Sequence, residues 1–413
     1  NGESFLIVSK GKGYKVSFVK VKNVSKEIIN ISKYLYSNAK KINLIAITGT
    51  DGKTTTASII KDMLGQDLCG YIGTNGIVGK YIKSSSNNTT PSIEVLYKYL
   101  NKFNEEGLKY ASIEASSEGM LHKRMESLSF KIAILTNFTE DHLNVHKTKD
   151  NYLKCKRKVF SKLDKDGVAI LNKDDPFYNK FRNSCKTKVI TYGKNKYSTL
   201  RIISHEEKNG KTKYWLCQNM NITTRNLNRI IRGETSSISF KYIESPLVGE
   251  FNVYNLSAAI SALLALGYGF SDIRKKVLNI KIPFGRCEFL DYKTNYKILI
   301  DYAHTTNGIK NILTYLQSIK KNRIITVMGS AGGREKEKRA YMGEIAQKLS
   351  DIVIYTMDDP RYEKVLDIIN DLIYKKKKNY IVEPNRSIAI KKSLDMAEEN
   401  DIIAILGKGR DNY

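Results

Sequence analysis

The sequence has few of the features that mark secreted, membrane or zinc-binding proteins. Its 5 cysteines lie far apart and include no C-x-x-C pair, which argues against a disulfide framework and against a zinc ribbon. No stretch approaches the roughly 20 consecutive apolar residues of a membrane span. The start, NGESFLIVSKGKGYK, lacks the apolar run and cleavage site of a secretory signal. We therefore expect a cytoplasmic protein without a membrane partner.

Basic residues are abundant but not clustered. The net charge is +27, with Lys and Arg spread along the chain, whereas nucleic-acid binding needs basic patches that meet the phosphate backbone. The one dense run, YKKKKNY at residues 374–380, follows VLDIINDLI, whose periodicity predicts a helix, so we interpret it as a helix end or a solvated loop. We expect no nucleic-acid partner, although the charge can attract small anionic substrates.

Short apolar runs that end in Gly, Ser, Asn or Asp recur along the chain, each followed by a helical pattern. This arrangement is typical of buried parallel strands joined by crossover helices. One set of runs is NLIAITG, KYASIEAS, KIAILTN and GVAILN; a second is YKILIDYA, RIITVMGS, DIVIYTMDDP and DIIAILGKG. At 413 residues the chain has room for two or three domains, and the two sets predict two α/β domains.

Three segments indicate the domain boundaries. Residues 194–245 are polar with β-like alternation, and NVYNLSAAISALLAL after them predicts a buried helix. KIPFG, residues 281–285, is interpreted as a linker and hinge. We expect a central domain at residues 44–283 and a C-terminal domain at 284–413. Residues 1–43 are too few for a core of their own and are expected to be the remnant of an N-terminal domain.

The stretch ITGTDGKTTT is similar to a phosphate-binding loop but is shorter. Gly49 and Gly52 are two residues apart, where the common pattern has four. The glycines let the backbone turn so that amides and a helix N-terminus face an anion. We expect Lys53 to pair with the β- and γ-phosphates, and Thr54 or Thr55 to offer a hydroxyl to Mg²⁺.

Acidic and histidine residues follow the later strands of the first set. Glu114 ends one strand, and TNFTEDHLNVH after the next carries Asn137, Asp141, His142 and His146. These are oxygen and imidazole groups suited to Mg²⁺ beside a triphosphate. They lie where ligands of open α/β sheets bind.

Together these motifs resemble those of the Mur ligases, the ATP-dependent amide-forming enzymes of peptidoglycan precursor synthesis. The sequence is most similar to the MurE type, which adds the third residue to UDP-N-acetylmuramoyl-L-Ala-D-Glu. The shortened loop is that superfamily's ATP loop, and the resemblance runs from about Val16 to the last residue. The other shared motifs are NNTTP, EASSEGMLHKR, TNFTEDHLNVH, YLKCK, GEFNVYNLSAA, FGRCE, DYAHT, GSAGGREKEKR, DDPR and GKGRDNY.

The resemblance implies a fold, cofactors and site residues. It implies a central P-loop-type ATPase domain with a mainly parallel sheet, a Rossmann-like C-terminal domain and an N-terminal UDP-binding domain that is largely missing. It also implies ATP and Mg²⁺ as cofactors, small-molecule substrates and a monomer. The implied catalytic residues are Lys53, Glu114, His142 and Lys156, and the implied metal ligands are Thr54, Glu114, His142 and Lys156, the last matching the family's carbamylated lysine. The implied ATP contacts are Gly49, Thr50, Gly52, Lys53, Thr54, Thr55, Asn137, Asn252, Arg286 and Asp301. The implied contacts to the muramoyl dipeptide are Thr89, Thr90, Ser116 and Arg124, and those to the incoming diamino acid are Arg334, Asp359, Arg361, Gly407 and Asp411.

Three positions depart from the family pattern. Glu118 stands where many relatives have His, Asp359 replaces the Asn of the usual DNPR, and Asp411 replaces a Glu. The implied reaction is ATP-dependent ligation through an acyl phosphate, with a diaminopimelate-type amino acid because the guanidinium of Arg361 can grip a distal carboxylate. Another ligase of the superfamily, similar to folylpolyglutamate synthase, and a non-catalytic binding homologue remain alternatives.

Overall fold

The computed structural model describes residues 6–9, 17–141, 143–208, 210–218, 240–374 and 377–409. The strands are β1 (Leu6–Val8), β2 (Phe18–Lys20), β3 (Asn43–Thr48), β4 (Cys69–Gly73), β5 (Gly76–Val78), β6 (Lys83–Ser84), β7 (Tyr110–Glu114), β8 (Phe130–Leu135), β9 (Leu163–Asn172), β10 (Lys188–Gly193), β11 (Leu200–Lys208), β12 (Lys211–Gln218), β13 (Phe240–Ser245), β14 (Glu288–Phe289), β15 (Lys297–Asp301), β16 (Ile324–Met328), β17 (Ile352–Tyr355), β18 (Tyr380–Val382) and β19 (Ile402–Leu406). The α-helices are α1 (Val24–Leu35), α2 (Lys53–Leu64), α3 (Ile93–Glu105), α4 (Ser117–Leu121), α5 (Leu143–His146), α6 (Lys149–Arg157), α7 (Tyr178–Arg182), α8 (Glu250–Ala265), α9 (Phe270–Val277), α10 (Thr306–Ile319), α11 (Glu337–Leu349), α12 (Val365–Leu372) and α13 (Arg386–Asp395). Two short 3₁₀ helices cover Ser37–Lys41 and Phe160–Lys162.

The first sheet is mainly parallel. Its order is β13-β12-β11-β10-β9-β8-β3-β7-β4-β5-β6. The strands from β11 to β4 in this order pair in parallel. The neighbours at each end, β12 and β13 on one side and β5 and β6 on the other, pair antiparallel. The carboxyl ends of the parallel strands therefore share one edge.

The second sheet has the order β14-β15-β19-β16-β17-β18. Apart from the antiparallel β14, its neighbours pair in parallel. Together the two sheets confirm the predicted α/β class with a mainly parallel central sheet.

Burial on both faces explains the continuous apolar runs of the strands. In β3, Ile45 and Ile47 pack into a cluster with α2 and α8, whereas Leu44 and Ala46 pack into a second cluster with α3. A strand covered on both sides needs apolar residues at successive positions, so it shows no alternation. Helix α8 is largely buried for a similar reason, because it packs on α2 and on the strands of the first sheet.

The eight predicted apolar runs coincide with strands, and two other predictions are confirmed as well. NVYNLSAAISALLAL lies in α8 and extends one residue beyond it. VLDIINDLI covers α12 and the one residue that follows it. Part of YKKKKNY, residues 375–376, lies outside the described residues. No helix in the described ranges has the length and apolar character needed to cross a membrane.

Candidate functional site

The phosphate loop lies between β3 and the first residue of α2. Gly52 caps the helix with a φ of 81°, and a Cβ there would lie 2.4 Å from Asn255 Oδ1. A Cβ on Gly49 would lie 1.8 Å from Thr136 Oγ1. Both positions therefore require glycine. The first-turn amides of α2 have no carbonyl partner within the helix and are oriented to bind an anion.

Three residues that follow β8 hold the loop in shape. Asn137 Oδ1 accepts from the Asp51 backbone N–H at 3.0 Å, and Asn137 Nδ2 donates to the Asp51 carbonyl at 3.2 Å. Thr136 Oγ1 donates to the same carbonyl at 2.6 Å. Thr50 Oγ1 donates to the Thr139 carbonyl at 3.0 Å. The loop therefore has a defined conformation.

Two lysine side chains converge on the loop, that of Lys156 buried and that of Lys53 half-buried. Lys53 Nζ donates to the carbonyls of Gly49 (3.0 Å) and Thr50 (2.8 Å), and Lys156 Nζ donates to the same Gly49 carbonyl at 2.5 Å. Burial lowers the pKa of Lys53. Burial, and then the charge of Lys53, lower the pKa of Lys156 well below its ordinary value. Two amines this close together favour an anion beside them.

Glu114 is fully buried at the end of β7. Its carboxylate accepts from Thr54 Oγ1 at 2.9 Å, from Tyr71 OH at 2.5 Å and from the Thr74 backbone N–H at 2.9 Å. Arg286 Nη2, from the second domain, donates to Thr54 Oγ1 at 3.1 Å. Within the described ranges no three His, Cys, Asp or Glu residues form a metal-holding group, and the predicted ligand His142 lies outside those ranges.

The four residues expected to contact the muramoyl dipeptide lie next to Glu114. Thr90 Oγ1 donates to the Glu114 carbonyl at 2.7 Å and accepts from the Ser116 backbone N–H at 3.0 Å. Arg124 Nη1 donates to the Thr90 carbonyl at 2.9 Å. Thr89 Oγ1 lies 3.1 Å from Thr74 Oγ1, and the Thr74 backbone N–H donates to the Glu114 carboxylate.

Helix α8 supplies two adjacent asparagines. Asn252, predicted to contact ATP, donates through Nδ2 to the Val248 carbonyl at 2.8 Å. Asn255 Nδ2 donates to Asn252 Oδ1 at 3.0 Å, and Thr56 Oγ1 donates to Asn255 Oδ1 at 3.4 Å. Sequence reasoning missed Asn255, although its position three residues after Asn252 places it on the same helix face.

The second domain contributes Arg286 and Asp301 to the space beside the phosphate loop. Asp301, at the end of β15, accepts from the backbone N–H groups of Cys287 (2.6 Å) and Ala303 (2.7 Å). Burial raises the pKa of Asp301, and the nearby Arg286 opposes that rise. The Arg286 guanidinium lies 4.5 Å from the centre of the Tyr302 ring.

A cavity of about 790 Å³ lies between the two domains, in the range of small-molecule and cofactor sites. His304, in its wall, donates from Nδ1 to the Tyr302 carbonyl at 2.8 Å, and burial lowers the pKa of His304 to about 4. The predicted ATP contacts that line the cavity are Gly52, Thr55, Asn137, Asn252, Arg286 and Asp301. Gly49, Thr50, Lys53 and Thr54 belong to the adjoining loop and helix start.

Direct contacts join the two domains. Lys338 of the second domain forms an ion pair with Asp141 of the first. Tyr315 OH on α10, in the cavity wall, donates to Glu207 Oε1 on β11 at 2.6 Å. Glu207 Oε2 also accepts from the Gly249 backbone N–H at 3.2 Å, just before α8. The two domains are therefore in direct contact beside the cavity.

The residues expected to hold the diamino acid follow strands of the second sheet. Gly407 follows β19, Arg334 follows β16, and Asp359 and Arg361 follow β17. Arg361 Nε donates to Asp359 Oδ2 at 3.4 Å, and the two side chains are 39% and 41% exposed. The carboxyl ends of parallel strands thus bring the four residues to one edge. Asp411 lies outside the described residues.

Comparison with known proteins identifies the family. The model of the Mur ligase middle domain matches residues 47–263, and that of the Mur ligase glutamate ligase domain matches residues 285–409. The chain belongs to the Mur ligase family. The family matches confirm the resemblance seen in the motifs. Mur ligases use ATP.

Individual relatives are similar over nearly the whole chain. The UDP-N-acetylmuramoyl-L-alanyl-D-glutamate–2,6-diaminopimelate ligase of Clostridium perfringens (strain 13 / Type A) is 35% identical over 96% of this chain and 80% of its own length. The Buchnera aphidicola subsp. Baizongia pistaciae (strain Bp) ligase of the same name is 37% identical over 94% of this chain and 76% of its own. A solved structure of a ligase of that name has a TM-score of 0.65 and 27% identity, covering 98% of this chain and 82% of that one.

Proposed function

We propose that this Mur ligase uses ATP to join a diamino acid, diaminopimelate, to UDP-N-acetylmuramoyl-L-Ala-D-Glu, with release of ADP and phosphate. The observation that carries the proposal is the cleft, in which the phosphate loop and Glu114 of one domain face Arg286 and Asp301 of the other. A ligase must bring ATP, an acid and an amine to one point, and a cleft lined by two domains offers room for them. By the same resemblance we propose a cytoplasmic monomer.

In the first step, a carboxylate oxygen of the D-Glu residue attacks the γ-phosphorus of ATP. The bond from that phosphorus to the β,γ-bridging oxygen breaks, ADP leaves, and an acyl phosphate forms. Lys53, Arg286 and the first-turn amides of α2 stabilise the charge of the transferred group, because phosphoryl transfer depends mainly on positioning and electrostatics.

In the second step, a neutral amine of the diamino acid attacks the activated carbonyl carbon. The carbon–oxygen bond to phosphate breaks, the amine loses a proton, and the amide is left. Water competes with the amine for the acyl phosphate, so the reaction needs a closed site. Domain contacts such as Lys338 with Asp141 provide that closure.

The residues at Glu114 fit the Mg²⁺ that the family implies. The Glu114 carboxylate is fully buried and lies 2.9 Å from the Thr54 hydroxyl, and Mg²⁺ prefers such oxygen donors. We assign Thr54, Glu114, His142 and a carbamate on Lys156 as the groups that hold it. When bound, the metal supplies positive charge beside the triphosphate.

A carbamate on Lys156 is supported by the surroundings of its amine. Burial and Lys53 lower the pKa of Lys156, which increases the neutral fraction that can attack CO₂. A nitrogen–carbon bond then forms, a proton leaves, and the side chain becomes an anion. The change replaces repulsion between two ammonium groups with attraction between Lys53 and the carbamate.

The choice of diaminopimelate over lysine depends on Arg361. A guanidinium binds a distal carboxylate through two parallel hydrogen bonds, whereas it repels a distal ammonium. Asp359 works in the other direction, because it pairs with Arg361 at 3.4 Å and is itself attractive to an ammonium. We assign specificity to Arg361, aided by Arg334, Gly407 and Asp411.

We also propose the domain limits 1–43, 44–283 and 284–413, with residues 281–285 as the hinge. Helix α9 ends at Val277 and β14 begins at Glu288, so the hinge lies between elements of the two domains. The Lys281 backbone N–H donates to Asp62 Oδ2 at 3.1 Å, which holds one end of the hinge against α2.

The test is ADP release by the full chain with each substrate omitted in turn. We expect turnover only when ATP, UDP-N-acetylmuramoyl-L-Ala-D-Glu and a diamino acid are all present. Turnover with a folate and glutamate instead would assign the protein to the folylpolyglutamate synthase-like alternative. Binding of ATP and the UDP-dipeptide without amide formation would identify a non-catalytic homologue.

A further inference from the structure

The phosphate loop contains a carboxylate that contacts the second domain. Asp51 Oδ1 accepts from Thr305 Oγ1 at 3.0 Å, and Asp51 Oδ2 accepts from Asn307 Nδ2 at 3.1 Å. Both donors lie in the second domain, at the start of α10. The mechanism above uses the main chain and Lys53 of the loop, and it gives this carboxylate no role.

The backbone of Asp51 is fixed by its own domain. Its N–H donates to Asn137 Oδ1 at 3.0 Å, and its carbonyl accepts from Thr136 Oγ1 at 2.6 Å. The loop conformation therefore fixes the point from which the side chain extends. A change in loop shape moves the carboxylate away from the second domain, because hydrogen bonds weaken steeply with distance and angle.

The opposite partner is equally well defined. Thr305 is the N-cap of α10, and its Oγ1 accepts from the Gly308 backbone N–H at 2.9 Å while it donates to Asp51. A carboxylate at a helix N-terminus is also stabilised by the helix dipole. Because each oxygen of Asp51 takes a donor from the first turn of the same helix, the two hydrogen bonds restrict the position of that helix relative to the loop.

We propose that Asp51 is a positioning residue that holds the second domain closed over the phosphate loop, through Thr305 and Asn307, while the acyl phosphate exists. The inference rests on the ligase function proposed above, and it adds a link between phosphate binding by the loop and closure of the second domain. The loop that binds the phosphates also presents the closing contact, so an ordered loop favours the closed, water-excluding site. Loss of the contact leaves ATP chemistry possible but exposes the acyl phosphate to hydrolysis.

A reciprocal exchange of groups tests the contact. Asn307→Asp places two carboxylates face to face and removes a donor, so it opposes closure. Asp51→Asn is milder, because Asn307 can turn its amide and accept from the new Asn. In the double variant the Asn at 51 accepts from Thr305 and donates to the Asp at 307, which restores both hydrogen bonds. Asn295→Asp, the same change at an exposed loop position in the same domain, is the matched control.

Two readouts separate a positioning role from a structural one. The first is the ratio of ADP released to amide formed, which rises when the acyl phosphate is lost to water. For Asn307→Asp we expect kcat for amide formation to fall by about tenfold or more, because two carboxylates that face each other across an interface repel, with a raised ratio. The double variant returns both quantities to the level of Asp51→Asn, and Asn295→Asp matches the parent chain. Thermal unfolding of each variant identifies any loss of folding.

The second readout is the closure itself, measured by small-angle scattering with a non-hydrolysable ATP analogue. We expect Asn307→Asp to be more open than the parent chain, and the double variant to be closed. A double variant that is as open and as uncoupled as Asn307→Asp overturns the inference. A parent chain that makes no amide contradicts the proposed function instead, and the scattering comparison then still decides whether Asp51 controls closure.

Discussion

Replacing Asp359 with Asn tests which side chain sets the amino-acid specificity. In the structure Asp359 takes one hydrogen bond from Arg361, at 3.4 Å, and both side chains are about two-fifths exposed. The change removes a negative charge from the proposed pocket and releases the guanidinium. We therefore expect tighter binding of the distal carboxylate of meso-diaminopimelate.

The size of the effect follows from the exposure of the pair. A solvent-exposed ion pair with imperfect geometry contributes only about 0.2–1 kcal/mol. Breaking it can improve the affinity for the distal carboxylate by no more than that amount, which corresponds to a decrease in KM of at most about fivefold. The kcat value should change little, because Asp359 does not contact the reacting groups in the proposed mechanism.

The assay compares kcat/KM for meso-diaminopimelate and L-lysine in the parent chain and in Asp359→Asn. Asp367→Asn makes the same change at an exposed position of α12 and serves as the control. A parent chain that prefers lysine, and loses that preference in Asp359→Asn, would falsify the assignment of specificity to Arg361. It would show that the carboxylate of Asp359 recognises a distal ammonium.

Three further predictions concern ionisable groups of the site whose pKa values are lowered by burial. Lys53→Ala should lower kcat for ADP release by about 100-fold or more, as removal of a charge-stabilising donor does in other enzymes. Ligase activity near the parent level in a folded Lys53→Ala protein would contradict the assignment of this loop to the phosphates of ATP. Lys156→Ala should lose most activity and regain part of it with added short carboxylic acids, whose carboxylate replaces the carbamate; mass spectrometry of the parent chain in ¹³CO₂ gives an independent reading. The pKa of His304 is about 4 in the folded chain and about 6.5 in the unfolded chain. Between these pH values only the unfolded state binds the proton. The free energy of unfolding should therefore fall by up to about 3 kcal/mol as pH drops from 6.5 to 4. Denaturant unfolding of the parent chain and His304→Gln measures this, and an equal pH dependence in both would exclude His304 as the cause.

Much of the fold could be predicted because its strands are buried on both faces. Runs such as NLIAITG have no alternation and end in glycine, which is the pattern of a parallel strand before a binding loop. Strands β4 and β10 were not predicted. In β4, CGYIG contains two glycines and little branched apolar sequence, and in β10, KVITYG is flanked by polar residues.

The sequence indicated the residues of the candidate site but not the contacts between domains. A motif assigns Arg286 and Asp301 to ATP, yet the hydrogen bond from Arg286 to Thr54 depends on how two separate sheets are placed. Asp51 and Asn307 are 256 positions apart, and no local pattern connects them. The contact of Asp359 with Arg361 is different in kind, because the two residues are only two positions apart in DDPR.

The shared cavity has a consequence for inhibitors. Its walls come from both domains, so a compound that fills it binds only molecules whose domains have come together. Its measured Kd is then the intrinsic value divided by the fraction of molecules already in that arrangement. A compound that contacts only one domain binds whether or not the domains have come together, so its Kd is not raised in this way. Comparing the two kinds of compound in a variant that opens the cleft would measure how often the free protein closes by itself.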